Sequence, residues 1–88
     1  MLDKSKMEQD LKYFLVEDLL VDFTIEEISP NMSLGNELGV DSLGFTELMA
    51  HVEDVYNIKI SDEEFVPENF RTINAIIELI EKKLNITV

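Results

Sequence analysis

Ser42 stands in the setting that most suggests chemistry, because Gly39-Val40-Asp41-Ser42-Leu43 reads as a turn leading into a long amphipathic segment. Gly39 gives the backbone the conformations a reversal needs, and Asp41 and Ser42 are residue types that satisfy free N–H groups at a helix start. Either the pair does no more than cap a helix, or the turn presents the Ser42 hydroxyl at a helix N-terminus, where anionic groups are favoured. Nucleophilic attack by Ser42 on its own account would need a base within hydrogen-bond reach. The only histidine is His51, which a helix would displace from Ser42 by about 13 Å and half a turn. His51 therefore cannot activate Ser42.

Other chemistries find less support. With no cysteine in the chain, neither a disulfide, nor a cysteine metal site, nor a thiol nucleophile can be built, so any thiol must arrive on a prosthetic group. A calcium loop needs oxygen ligands alternating around a glycine and closed by a glutamate. Asp62-Glu63-Glu64 reads as a helix start instead, and clustered acids of this kind bind divalent ions adventitiously rather than in a dedicated site. Gly35, Gly39 and Gly44 are the only glycines, so phosphate-loop and dinucleotide patterns are missing. No apolar cleft is visible that would raise the pKa of one of many acids. The chain is read as having no metal site and as not being an enzyme.

The elements that must position Ser42 are helical. If 42–56 is a helix, Phe45, Leu48, Met49, Val52, Val55 and Tyr56 form one apolar stripe for a core. Leu43, Thr46, Glu47, Ala50, His51, Glu53 and Asp54 gather opposite, with Leu43 beside the serine. An apolar residue next to a presented hydroxyl and flanked by acids has the look of a docking face. Upstream, a mixed and frayed start, Met1 to Lys6, leads to a first helix over about 5–20, with Leu11, Phe14, Leu15 and Leu19 at helical spacing and Tyr13, Val16 and Leu20 widening its apolar face.

Residues 21–41 lack sustained periodicity apart from a turn at Thr24 to Ile28, capped by Thr24 and broken by Ser29-Pro30-Asn31. Val21, Phe23, Ile25, Ile28, Met32, Leu34 and Leu38 can pin this long loop to the core. Asn57 stops the second helix, and Ile58-Lys59-Ile60 is an extended connector. Ser61-Asp62-Glu63-Glu64 has capping-box spacing and predicts a short helix through about Phe65, with Pro67 ending it or starting another turn over 67–70. Thr72 caps a last helix in which Ile73, Ile76, Ile77, Ile80 and Leu84 keep the pattern, with Lys82 and Lys83 in its final turn. The expectation is an all-α fold, a small four-helix bundle of three main helices and one short one with a long first loop.

Nothing in the 88 residues suggests more than a single domain, 1–88. No apolar run approaches the ~18 residues that span a bilayer, and no signal-peptide block opens the chain, so a cytoplasmic monomer is expected. The formal charge is −12, from 19 acidic residues against 7 Lys plus Arg. Between Lys12 and Lys59 there is no cation of either type, while Glu17, Asp18, Asp22, Glu26, Glu27, Glu37, Asp41, Glu47, Glu53 and Asp54 fall inside that interval. Such a field repels nucleic acid and anionic membrane and steers toward basic protein patches.

The stretch Ser33-Leu34-Gly35-Asn36-Glu37-Leu38-Gly39-Val40-Asp41-Ser42-Leu43, followed by Thr46-Glu47-Leu48, resembles the acyl carrier proteins, whose pattern is an Asp-Ser-Leu opening the second helix. The resemblance implies that a phosphopantetheinyl transferase moves 4′-phosphopantetheine from coenzyme A onto Ser42, assisted by Asp41. The arm then carries an acyl group as a thioester. It also implies a partner face of Leu43, Glu47, Glu53 and Asp54 for acyl-loading and acyl-accepting enzymes with basic docking patches. Ile60 and Phe65 match positions bordering the tethered chain, and Phe65 is bulkier than the family's usual small residue there. The longer segment from Ser61 to Thr72 looks more like stand-alone carriers of small functionalised units, such as substituted malonyl groups, in polyketide or hybrid peptide–polyketide assembly. A carrier of fatty acid synthesis is the alternative, and an acidic helical interaction domain without a prosthetic group is the alternative of another class.

Overall fold

The computed structural model describes residues 3–84. Four α-helices run in the order α1 (Lys4–Glu17), α2 (Ser42–Tyr56), α3 (Pro67–Phe70) and α4 (Ile73–Leu84), with a 3₁₀ turn at Ile25–Glu27 before α2. They close on one apolar cluster to which every helix contributes: Met7, Leu11 and Leu15 from α1, Leu48 and Val52 from α2, Phe70 from α3, and Ile73, Ile76, Ile77 and Ile80 from α4. The all-α bundle expected of the sequence is what forms.

Helix α1 starts earlier and ends earlier than its periodicity predicts. Asp3 Oδ1 accepts the Ser5 N–H at 2.9 Å, so the helix begins at Lys4 inside the stretch expected to fray; Met1 and Leu2 lie outside the described residues. At the other end Val21 N–H donates to Leu15 O at 3.1 Å across a turn in which Leu20 takes φ +59°. That bond reaches six residues back, one residue further than the usual closure by a left-handed residue, so the chain turns off the helix axis here. Leu19 and Leu20 thus leave the helix they were expected to continue.

The 24-residue connection to α2 is fixed by burial and by hydrogen bonds. Ile28, Leu34, Leu38 and Val40 are buried in the cluster, and Thr24 N–H donates to Glu27 Oε1 at 2.9 Å in the expected cap. Two bonds stitch the loop to the far end of the molecule: Leu34 N–H to Arg71 O at 3.0 Å, and Asn74 N–H to Pro30 O at 3.1 Å. The second of these satisfies one of the free N–H groups at the start of α4. Thr72 Oγ1 takes another from Ala75 at 3.1 Å, as its position predicts.

Two further expectations are corrected. Val55 is 49% exposed and outside the core, so the apolar stripe of α2 is narrower than its spacing suggests. The segment 61–65 is a turn, not a helix. Its capping box does form, with Ser61 N–H to Glu64 Oε1 at 3.0 Å and Glu64 N–H to Ser61 Oγ at 3.3 Å. Yet Val66 is extended before Pro67, and the short helix is the alternative at Pro67–Phe70. The residue before a proline is pushed out of helical geometry, which is why the turn cannot propagate.

Candidate functional site

Helix α2 is started by Asp41, whose Oδ1 accepts the Gly44 N–H at 2.8 Å from an extended backbone. Just before it, Gly39 has φ +78°, a left-handed conformation that a side chain would strain although the space around it is open. The two residues do the separate jobs their types suggest, one turning the chain and the other capping. Ser42 follows as the first helical residue and is exposed. Its carbonyl accepts from Thr46 Oγ1 at 3.0 Å, and its hydroxyl stands at the positive end of a 15-residue helix.

Gly44 has a role that the sequence reading did not assign. It is buried, and a Cβ there would meet Val40 Cγ1 at 2.9 Å and Asp41 Oδ1 at 3.3 Å. The absent side chain lets the first turn of α2 lie directly on the loop that precedes it.

Two grooves flank this turn. On the α3 side, a groove of about 440 Å³ is lined by Ser42 with Phe45, Phe65, Pro67, Phe70 and Arg71 among others. Phe65 and Phe70 meet edge to face with centroids 5.0 Å apart. Phe70 is 2% exposed and joins this wall to the core. On the α1 side, a groove of about 420 Å³ runs between the end of α1 and the start of α2, lined by Leu20, Leu43, Asp18, Asp22, Asp41 and Glu47 among others. Its lining contains four carboxylates and no Lys or Arg.

The residues singled out in the sequence distribute unevenly around this centre. Asp41, Ser42, Leu43 and Glu47 share the first turns of α2, and Leu43 is 67% exposed. Phe65 lines the α3-side groove with Ser42. Ile60 is buried in the core cluster and does not line that groove. Glu53 and Asp54 lie at the far end of α2. There Glu53 Oε2 accepts the Ile60 N–H at 2.7 Å, holding the connector after α2.

Leu20, Phe70 and Arg71 also border the grooves; sequence reasoning gave Leu20 a place on the apolar face of the first helix and gave none of the three a part in the site. The only available signal for Leu20 was negative: residues 17–22 contain no Gly or Asn to take the left-handed position that ends a helix.

His51 is accounted for elsewhere. Its Nε2 lies 3.0 Å from Asp10 Oδ2, its ring stacks on Phe14 with centroids 4.1 Å apart, and Tyr56 OH donates to the same Asp10 oxygen at 3.1 Å. Partial burial, and then the Asp10 carboxylate, push the Tyr56 phenol above its ordinary pKa of 10.0. This set ties α1 to α2 and offers nothing to Ser42.

The sequence profile of the family described as "Phosphopantetheine attachment site" matches residues 15–87. An acyl carrier protein of Coprothermobacter proteolyticus is 31% identical over 83 residues, covering 94% of this chain and 96% of that protein. Among solved structures, the acyl carrier protein of Thermotoga maritima superposes with a TM-score of 0.75 at 24% identity, over 93% of this chain and 91% of that one. KstB-PCP in its apo form gives a TM-score of 0.73 at 26% identity, over 91% of this chain and 88% of that one.

Proposed function

From the premise that this chain belongs to the acyl carrier protein family, whose members bear covalent 4′-phosphopantetheine and carry acyl groups without catalysing their transfer, we propose that Ser42 is its attachment site and that it holds small, functionalised acyl units for polyketide or hybrid peptide–polyketide assembly. The prosthetic group supplies a thiol, which the chain lacks, and thereby the means to hold an acyl group as a thioester. Ser42 fits the attachment because it is exposed, lies at the positive end of α2, and shares a groove with Phe45, Phe65 and Phe70. In loading, Ser42 Oγ forms the new phosphoester bond and gives up its proton to a base of the transferase, while the pyrophosphate link of coenzyme A breaks and adenosine 3′,5′-bisphosphate leaves. Asp41 keeps the first turn of α2 closed while this happens.

One observation carries the preference for small cargo. The interior behind the groove is filled, with Leu48, Ile73, Ile76 and Ile77 at 0–1% exposure, and a packed core admits extra methylenes only at the cost of strain. A short acyl group has room in the groove, while a long alkyl chain would have to displace these side chains. Phe65 narrows the way inward, standing edge-on to Phe70. The acidic start of α2 suits weak, fast docking to the basic patches of successive enzymes, and a flexible tether raises the local concentration of the cargo at each of them.

Incubation with coenzyme A, magnesium and a promiscuous phosphopantetheinyl transferase should add one phosphopantetheine to the intact mass, and Ser42→Ala should abolish the gain. Loading from malonyl-coenzyme A and from palmitoyl-coenzyme A then separates the cargo classes. A palmitoyl-loaded protein that melts no higher than the unloaded holo-protein is the expected outcome. A clear rise would mean that the alkyl chain is taken into the interior, and would favour fatty acid synthesis.

A further inference from the structure

Leu20 is an anomaly that the carrier reading leaves unexplained. It is 76% exposed and sits at φ +59°, in the left-handed region where a Cβ is disfavoured and Gly or Asn is the usual occupant. Neither burial nor backbone preference supports a leucine there. An unfavourable side chain of this kind is informative where it borders a functional site. Leu20 lines the α1-side groove together with Leu43, the residue that directly follows Ser42.

Of the apolar side chains that line this groove, Leu20 and Leu43 are the exposed ones, and its rim is Asp18, Asp22, Asp41 and Glu47, with no Lys or Arg in the lining. An apolar centre inside a charged rim is the build of a docking site rather than of a solubility surface. We propose that the turn following α1 supplies a second anchor for the enzymes that act at Ser42, with Leu20 and Leu43 entering one apolar socket ringed by Lys or Arg on the partner. The partner's charge follows from the rim, since four carboxylates repel an acidic face and attract a basic one. Its place follows from continuity: Asp41 and Leu43 are the neighbours of Ser42, so a protein reaching the hydroxyl from the α1 side covers Leu20 as well. Such docking extends the face expected on α2 alone to the turn after α1, and explains why a leucine is held where asparagine would be easier.

The proposal rests on the carrier reading, and the probe is the transferase reaction itself, followed by intact mass at varied carrier concentration. Leu20→Asn accepts the left-handed backbone while removing the apolar side chain. Its melting temperature should equal or exceed that of the unaltered protein, while the KM for the carrier rises about fivefold or more, the scale of losing one interface anchor, and kcat stays within about twofold of the unaltered value. Tyr13→Ser removes another exposed apolar side chain, 60% exposed on α1 but outside the groove, and should leave KM unchanged. Added salt should raise the KM of the unaltered protein by weakening attraction at the rim. An unchanged KM in Leu20→Asn overturns the second anchor alone. A fall in melting temperature, with a rise in KM no larger than the unfolded fraction accounts for, assigns Leu20 a structural role and overturns it too. If the unaltered protein is never modified, the carrier reading itself is lost and this surface with it.

Discussion

The groove on the α1 side of Ser42 and the groove on its α3 side are nearly equal in size and differ in what holds them. The α1-side groove presents four carboxylates and two exposed leucines, none of which supports the core. The α3-side groove is walled by Phe45, Phe65 and Phe70, with Arg71 as its cation, and Phe70 is among the most deeply buried side chains. A surface that meets changing partners can vary without endangering the fold, whereas a recess for a tethered group has to be cut into the packing. Substitutions on the two sides should therefore separate into changes of stability and changes of docking.

The largest contrast is expected from Phe70→Ala. Phe70 is 2% exposed and stands edge-on to Phe65, and truncating a buried phenylalanine costs about 3–5 kcal/mol. Denaturant titration should show a loss of that order while Leu20→Asn shows none. A cost below about 1 kcal/mol would mean that the α3-side wall is as superficial as the α1-side rim, and the contrast would break. Gly44→Ala tests the seam between the two grooves. Alanine is preferred over glycine in a helix by about 1 kcal/mol, yet its Cβ would fall 2.9 Å from Val40 Cγ1. Val40 is itself buried and has little room to yield, so overpacking of about 1–3 kcal/mol should prevail. A thermal melt above that of the unaltered protein would show instead that Val40 moves aside.

Much of this arrangement was legible in the sequence because it depends on local periodicity and on capping. The span 42–56, its Asp41 start and its Asn57 stop are observed as expected, since Asn57 takes the left-handed conformation with φ 55°. The isoleucines of α4 are all at 0% exposure, as an uninterrupted helical pattern requires. What failed was decided by non-local contacts, by the absence of a preferred residue or, at 61–65, by the Val66-Pro67 step that stops the turn from propagating. Leu19 and Leu20 fit a helical pattern, but the chain had to turn toward the long loop and did so without a glycine. The resemblance puts Glu53 on a partner face, and no local signal announces that the Ile60 N–H also reaches it. Lys12 is buried despite its charge, held by Glu8 at 2.8 Å one turn earlier. That spacing is visible in the sequence, but burial depends on what packs over it.

The smallest effect concerns how the α3-side rim is tied to the rest of the bundle. Glu64 ends the turn before α3, its carbonyl accepts from Asn69 Nδ2 at 2.8 Å, and its Oε1 receives Lys83 Nζ of α4 at 2.8 Å. The Lys83 hydrogen bond, followed by the Ser61 N–H, holds the Glu64 carboxyl below its ordinary pKa of 4.5. A carboxyl that ionises more readily in the folded chain contributes stability that is full above the unfolded value. That contribution fades as pH falls from about 4.5 through the lowered folded value. Lys83→Met should bring the side-chain carboxyl titration of Glu64, followed by NMR, back toward the ordinary value. It should also make the loss of stability between neutral pH and pH ~3 shallower than in the unaltered protein. The pair is solvent-exposed, so the difference should be slight and should shrink as salt is added. Coincident titrations of Glu64 in the two proteins would show that Ser61 alone lowers the carboxyl. The rim of the α3-side groove would then be held from within its own turn, making the Phe70→Ala loss the more telling of the two.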